Sequence, residues 1–233
     1  MIEVRHYSQS FGKKQVLQNV NFSINKGEIA GLIGPSGLGK TTLIKSVIGM
    51  QAPTEGTLHV MGEKQPTLAV SKDIGYMAQA DALYGDLTPR GNLRYFGKLY
   101  GLKNKRLTER VEDVLRFTDL TADAGRPVHL FSGGMKRRLS LAIALIHEPP
   151  LLLLDEPTVG IDPKLKRAFW KEFEQLRAQG VTILLTTHIM DEAARCDRLL
   201  LIRDGRLMAG GTPKELEERF GSIEDAFMQK EQM

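Results

Sequence analysis

The run Gly34-Pro35-Ser36-Gly37-Leu38-Gly39-Lys40-Thr41 fits the pattern G-x-x-x-x-G-K-[ST], and no other segment constrains the fold of this chain so tightly. Glycines let a backbone wrap closely round an anion, with successive N–H groups pointing inward. The pattern gives Lys40 the terminal phosphates and the Thr41 hydroxyl a Mg²⁺ ion. It belongs between a strand and a helix, because the helix start adds the positive end of its dipole. Here Glu28 to Ile33 reads as a buried strand, and Thr41 to Gly49 as a helix ending at a glycine. A glycine-rich turn with an incidental lysine is the competing reading. The candidate phosphate contacts are Gly34, Ser36, Gly37, Gly39, Lys40, Thr41 and Thr42.

A chain of 233 residues that is 42% hydrophobic can bury a full core, as one large domain or a domain with a subdomain. The net charge of +4 is spread along the sequence, with no block of like charges resembling a nucleic-acid arm. The single cysteine, Cys196, permits no internal disulfide and suits the cytosol. Met1 to His6 carries charge and lacks the apolar centre of a secretory signal. The most apolar stretch, Leu139 to Leu154, is interrupted by His147 and Glu148, so no segment is expected to span a bilayer. A membrane role would then need a partner chain.

Short strands are expected first, at Ile2–Tyr7, Val20–Ile24, Glu28–Ile33 and Thr57–Val60, with turn chemistry at Lys26-Gly27 and Glu55-Gly56. From about Leu83 to Thr121 charge and helix formers dominate, and Thr88-Pro89 supplies an N-cap and a first-turn proline. After Ser132 helix and strand alternate. Met135, Leu139, Ala142, Ile143 and Ile146 recur at helical spacing, while Leu151–Leu154 and Val181–Thr187 read as strands buried in a parallel sheet. Lys164–Gln179 and Pro213–Phe220 read as helices, and Leu199–Arg203 with Arg206–Ala209 as a hairpin turning at Asp204-Gly205. The expected fold is α/β: a mostly parallel sheet flanked by helices, an N-terminal antiparallel β subdomain and a helical subdomain. Residues 1–81 and 136–233 would form the core and β edge, and residues 82–135 the helical insertion.

The strand Leu151-Leu152-Leu153-Leu154 ends in Asp155-Glu156, which sets acids at the carboxyl edge of a parallel sheet, where ligands bind in such folds. Asp155 suits Mg²⁺, opposite Thr41. Glu156 suits a base that orients and deprotonates an attacking water, a role worth about 10²–10⁴-fold. A core strand ending in a solvated turn is the plain alternative. Ahead of it, Ser132 suits a helix cap, and Gly133 and Gly134 leave the first amides open to an anion. Lys136, Arg137 and Arg138 fall in the first turns, where cations oppose the helix dipole. A bound polyphosphate would relieve that conflict; plain solvation of the basic side chains is the alternative.

Phe131-Ser132-Gly133-Gly134-Met135 resembles the signature motif of ATP-binding cassette (ABC) ATPases, usually Leu-Ser-Gly-Gly-Gln, and lies where that family has it. The likeness runs over nearly the whole chain. It implies a P-loop NTPase core, ATP and Mg²⁺ as ligands, and further roles by position. Gln79, in Tyr76-Met77-Ala78-Gln79, is similar to the glutamine that senses Mg²⁺ and the attacking water; an exposed turn residue is the other reading. Val159-Gly160-Ile161-Asp162 resembles the D-loop, which signals across a dimer, though Asp162-Pro163 equally suits a helix cap. His188 matches the switch histidine that contacts the γ-phosphate, against a structural histidine at a strand end. Phe11 sits where the family stacks an aromatic on adenine, against a core aromatic. Cys196 and Trp170 read as packing, and the histidines and cysteine show no metal-ligand spacing.

Phe131 and Met135 depart from the usual signature, but Ser-Gly-Gly is intact. The stretches Leu87–Leu93 and Met135–Leu139 are similar to ATPase subunits of ABC-2-type exporters, the drug-resistance and sodium-extrusion group. In that group an acid precedes the Asn92 equivalent; Gly91 here weakens the expected helix start. The resemblance implies a cytoplasmic ATPase, peripheral on the inner face of the plasma membrane. Two copies, as a homodimer or heterodimer, would enclose two ATP-Mg²⁺ head to tail and drive export through a separate transmembrane permease subunit. Nucleic acid is not an expected partner. The alternative is an ABC ATPase acting on nucleic acid or ribosomes; such chains generally carry two cassettes, long coiled-coil insertions or zinc modules.

Overall fold

The computed structural model describes residues 1–35, 37–80 and 82–228. It divides into two compact units, Met1–Ser71 together with the chain from Arg177 onward, and Lys72–Leu176. The first unit opens with β1 (Ile2–Phe11), β2 (Lys14–Ile24), β3 (Ile29–Ile33), α1 (Lys40–Ile48), β4 (Glu55–Val60) and β5 (Glu63–Lys64). The second holds β6 (Ile74–Met77), α2 (Pro89–Leu99), α3 (Asn104–Phe117), α4 (Gly133–Leu145), β7 (Leu151–Asp155) and most of α5 (Pro163–Ala178). The first resumes with β8 (Thr182–Thr187), α6 (Met190–Ala193), β9 (Arg198–Arg203), β10 (Arg206–Gly211), α7 (Pro213–Phe220) and α8 (Ile223–Met228).

In the first unit, β1, β2, β4 and β5 make the expected antiparallel sheet, in the order β2-β1-β4-β5. β1 and β2 run further than their sequences suggest, because they close on each other through Phe11 and Lys14. β3 pairs in parallel with β8 and with β9, and β10 returns antiparallel to β9. The turn between β9 and β10 has positive φ at both Asp204 and Gly205, the geometry that an Asp-Gly hairpin favours. Every residue of β3 and β8 is buried. Side-chain oxygens pin the start of β3: Gly27 N–H donates to Thr182 Oγ1 (2.9 Å) and Ile29 N–H to Asp197 Oδ2 (2.8 Å). A Cβ on Gly31 would stand 2.9 Å from Cys196 Sγ, so the buried cysteine fills the space that this glycine leaves.

In the second unit β6 pairs in parallel with β7. A Cβ on Gly75 would lie 2.2 Å from Ala144 O, so α4 packs directly on the β6 backbone. α3 buries Leu107, Val111, Val114 and Leu115, one stripe of an amphipathic helix. α2 starts at Pro89 behind the N-cap Thr88, whose Oγ1 accepts the Gly91 N–H (3.1 Å). Gly91 therefore supplies the amide that the cap needs, and the helix start forms where the sequence suggested it is weakened. Asn92 is fully buried and its side chain spends both ends on backbone, accepting from Tyr84 N–H (2.9 Å) and donating to Tyr84 O (3.0 Å).

Candidate active site

In the first unit, β3 delivers the chain into the 34–41 loop. A Cβ on Gly34 would stand 2.4 Å from Ile202 O, so only glycine fits at the loop's entry. Gly37 and Gly39 take φ of 81° and 97°, in the left-handed region that glycine occupies without strain. The buried Lys40 curls back, its Nζ donating to Gly34 O (2.6 Å) and Pro35 O (3.0 Å). Its ammonium therefore sits within the turn of the loop, where an anion would bring a counter-charge. α1 begins at Lys40, one residue earlier than expected, and Thr41 and Thr42 occupy its half-buried first turn. Ser36 lies outside the described residues.

His188 is exposed immediately after β8. Its neighbours are fixed by a buried pair: Thr187 Oγ1 donates to Glu192 Oε2 (2.7 Å) and accepts the Ile189 N–H (3.0 Å). Phe11 ends β1 at 52% exposure, which removes the core-aromatic reading.

In the second unit, Asp155 closes β7 fully buried, and Glu156 follows at 7% exposure with φ of 50°. Gln79 Nε2 donates to Glu156 Oε2 (3.0 Å), so the glutamine at an exposed position also serves the acid. Burial, then the charge of Asp155, pushes the Tyr76 hydroxyl pKa up. Ser132 is the N-cap of α4, its Oγ accepting the Met135 N–H (3.3 Å). Ser132 and Gly133 are exposed, open space lies beside Gly133, and a Cβ on Gly134 would touch Leu165 at 3.3 Å. Asp162 Oδ1 accepts the Lys164 and Leu165 N–H groups (2.9 and 3.0 Å), and these bonds hold its pKa below the usual carboxylate range. The helix-cap reading of Asp162-Pro163 is thus realised at the start of α5.

The basic residues after the signature are not simply solvated. Arg137 is buried at 7% exposure, and its guanidinium donates to the carbonyls of Ala78, Gln79, Asp155 and Glu156. Arg138 pairs with Asp119 (2.9 Å). Sequence reasoning grouped both with a surface triplet and missed this use of Arg137. Its signal was available: Arg137 shares one face of α4 with the buried Leu141, Ala144 and Leu145. The Thr187–Glu192 pair was missed as well, and a Thr and a Glu five apart carry no comparable pattern.

The family model described as "ABC transporter" matches residues 17–159. Nod factor export ATP-binding protein I of Sinorhizobium fredii is 45% identical over 224 residues, covering 94% of this chain and 65% of that protein. The probable multidrug ABC transporter ATP-binding protein YbhF of Escherichia coli is 40% identical, covering 98% of this chain and 41% of that protein. The chain therefore spans between two fifths and two thirds of the length of these relatives. A solved ATP binding subunit of an ABC transporter superposes with a TM-score of 0.88 at 32% identity, over 97% of this chain and 98% of that one. A dimeric ATP-binding cassette in a post-hydrolysis state, bound to ADP and Pi, gives 0.83 at 25% identity, over 91% and 98%.

The strand, glycine loop and helix of the first unit and the capped helix and acid-ended strand of the second are the elements of an α/β P-loop NTPase-like cassette fold. The chain belongs to the ABC transporter family. Among its described residues no helix is long and apolar enough to cross a membrane.

Proposed function

We propose that this chain is the ATP-hydrolysing subunit of an ABC exporter, working as a head-to-tail dimer on the inner face of the plasma membrane and driving a separate transmembrane subunit. The observation that carries the reading is the Gln79–Glu156 contact. A nearly buried carboxylate, held in left-handed backbone with an amide on one oxygen, is an expensive arrangement for a structural residue and a fitting one for a base. Relatives named for export and multidrug transport favour the transporter reading over action on nucleic acid or ribosomes.

In this reading the amides of Gly34, Ser36, Gly37, Gly39 and Thr42 and the Lys40 ammonium hold the triphosphate, and Phe11 stacks on adenine. Thr41 Oγ1, the Asp155 carboxylate and the Gln79 side-chain oxygen are hard oxygen donors, the set that suits Mg²⁺. When bound, that ion neutralises phosphate charge. A water oxygen bonds to the γ-phosphorus, the bond from phosphorus to the bridging oxygen breaks, and ADP leaves with that electron pair. Glu156 takes the water's proton, and His188 contacts the γ-phosphate. Ser132, Gly133 and Gly134 serve the ATP held by the partner copy, with Asp162 facing the same partner. Residues 82–135 then form the helical insertion that passes motion to the membrane subunit, and residues 1–81 and 136–233 the core.

The test is Glu156→Gln, which keeps an oxygen for the Gln79 amide and removes the base. ATP binding should persist, while kcat falls by about 10²–10⁴-fold. Near-normal steady-state hydrolysis would rule out Glu156 as the base.

A further inference from the structure

We propose that Arg137 is a positioning residue that ties the phosphate-facing start of α4 to the catalytic glutamate of the same chain, and thereby couples the two ATP sites of a dimer. The coupling rests on the function proposed above; the tie itself does not. Arg137 lies a little over one turn beyond the cap Ser132. Nη1 donates to Ala78 O (3.0 Å) and Gln79 O (2.9 Å), and Nη2 to Glu156 O (2.6 Å) and Asp155 O (3.4 Å). A guanidinium is planar and rigid, so its two nitrogens fix two backbone segments relative to each other. Those are the segments whose side chains meet at Gln79 Nε2 and Glu156 Oε2.

Two features separate this from ordinary packing. Glu156 adopts a φ of 50°, a conformation that a residue with a side chain holds only when its surroundings impose it. Its carbonyl receives the bond from Nη2, so Arg137 is one of the groups that impose it. The guanidinium is also buried on the same helix face as Leu141, Ala144 and Leu145, where an apolar residue would pack without any desolvation cost. The four carbonyls offset that cost and tie the charge to the base-bearing backbone.

The consequence follows from the helix. When the start of α4 engages phosphate and shifts, Arg137 moves with it and carries the carbonyls of Gln79 and Glu156. In a head-to-tail dimer that start serves the partner's ATP, whereas Glu156 serves the ATP on its own chain. Occupancy of one site thus adjusts the base of the other through this side chain.

The experiment compares the full chain with Arg137→Gln and Arg137→Lys. Glutamine reaches one segment but cannot bridge both; lysine keeps the charge without the planar fork. Arg137→Gln should melt cooperatively and bind ATP within about twofold of wild type. Its kcat should fall at least about tenfold with KM within about threefold, since a small misplacement of a catalytic group is costly. Its Hill coefficient for ATP should fall towards one, and Arg137→Lys should recover part of the lost kcat. Amide hydrogen exchange without nucleotide supplies the readout that is independent of turnover. Residues 76–80 and 154–160 should exchange at least about tenfold faster in Arg137→Gln, with α7 unchanged. Exchange like wild type in the folded Arg137→Gln protein overturns the tie, and a kcat loss that merely follows lost ATP binding overturns the coupling. If the wild type hydrolyses no ATP, the proposed function fails while exchange still decides the tie. If Arg137→Gln does not fold, the same comparison is made with Arg137→Lys.

Discussion

Acidification should destabilise this protein through one imidazole. His147 follows α4, its ring stacked on Tyr100 with centroids 3.6 Å apart and planes within 5°. Nε2 lies 3.3 Å from Ile74 O and donates to it, so the neutral ring carries its proton there. Burial pushes the pKa from 6.5 down to about 4; Ile74 O and Asp73 oppose the fall and Arg110 adds to it. In the native state the ring stays neutral to about pH 4, whereas the unfolded chain takes up a proton near pH 6.5. Between those values the unfolded chain binds more protons, so stability is full above pH 6.5 and is lost as pH falls towards 4. At pH 5 the linkage amounts to about 2 kcal/mol for a dry ring, and solvent reaching this half-buried one reduces it to about 1 kcal/mol. Urea unfolding of wild type and His147→Gln at pH 7, 6 and 5 isolates the effect, because carboxylates that titrate in the same range are common to both proteins. Glutamine keeps an N–H for Ile74 O and loses the stacking, by an amount that does not depend on pH. The stability gap should therefore narrow by about 1 kcal/mol between pH 7 and 5. Parallel stability curves with equal m values would refute the buried neutral imidazole.

Ser132→Arg should leave ATP binding by the monomer intact, cost about 1 kcal/mol in melting stability for the lost cap, and abolish ATP-dependent dimers in light scattering. An ATP-dependent dimer with normal hydrolysis would show that this helix start does not serve the partner's nucleotide. Gly34→Ala drives a Cβ against Ile202 O at 2.4 Å, which should cost about 1–3 kcal/mol in urea unfolding and weaken ATP binding as the loop entry shifts. Unchanged unfolding and unchanged ATP titration would mean that the β9 backbone yields freely and does not hold the loop.

What was legible in the sequence is what local chemistry dictates. The glycine loop between β3 and α1, the Thr88-Pro89 start and the Asp204-Gly205 turn each depend on residue types that few other conformations reward. The length of β1 was not legible. His6 takes a positive φ, the register slips between Val4 and Tyr7, and the buried Ser8 and Gln9 are polar, so alternation stops at Tyr7 while the strand continues. Gln79 was ambiguous for a related reason. Its backbone looks like a turn from every neighbouring residue, and only the distant Glu156 reveals the bond it makes. The place of Arg137 on a buried face of α4 was legible, but its partners were not, because they are main-chain carbonyls and a carbonyl leaves no mark in a sequence.

The two departures from the usual signature also find a physical explanation. Phe131 is buried and gives its N–H to Val128 O (3.0 Å), so that position asks for apolar volume, which Phe and Leu both supply. Met135 gives its backbone N–H to Ser132 Oγ, a bond that any residue except proline provides. In the proposed function, anion binding at this helix would rest instead on Ser132 and on the first-turn amides of Gly133 and Gly134, groups for which a helix has no internal acceptor. The first turn contains no acidic residue to compete for them. Of the three cations that follow, Arg137 is held by four carbonyls, whose dipoles face its charge, and Arg138 pairs with Asp119, so both have counter-partners of their own. In the proposed function the positive end of α4 is thereby left for an incoming phosphate, and the basic run that looked unfavourable in the sequence is compatible with that role.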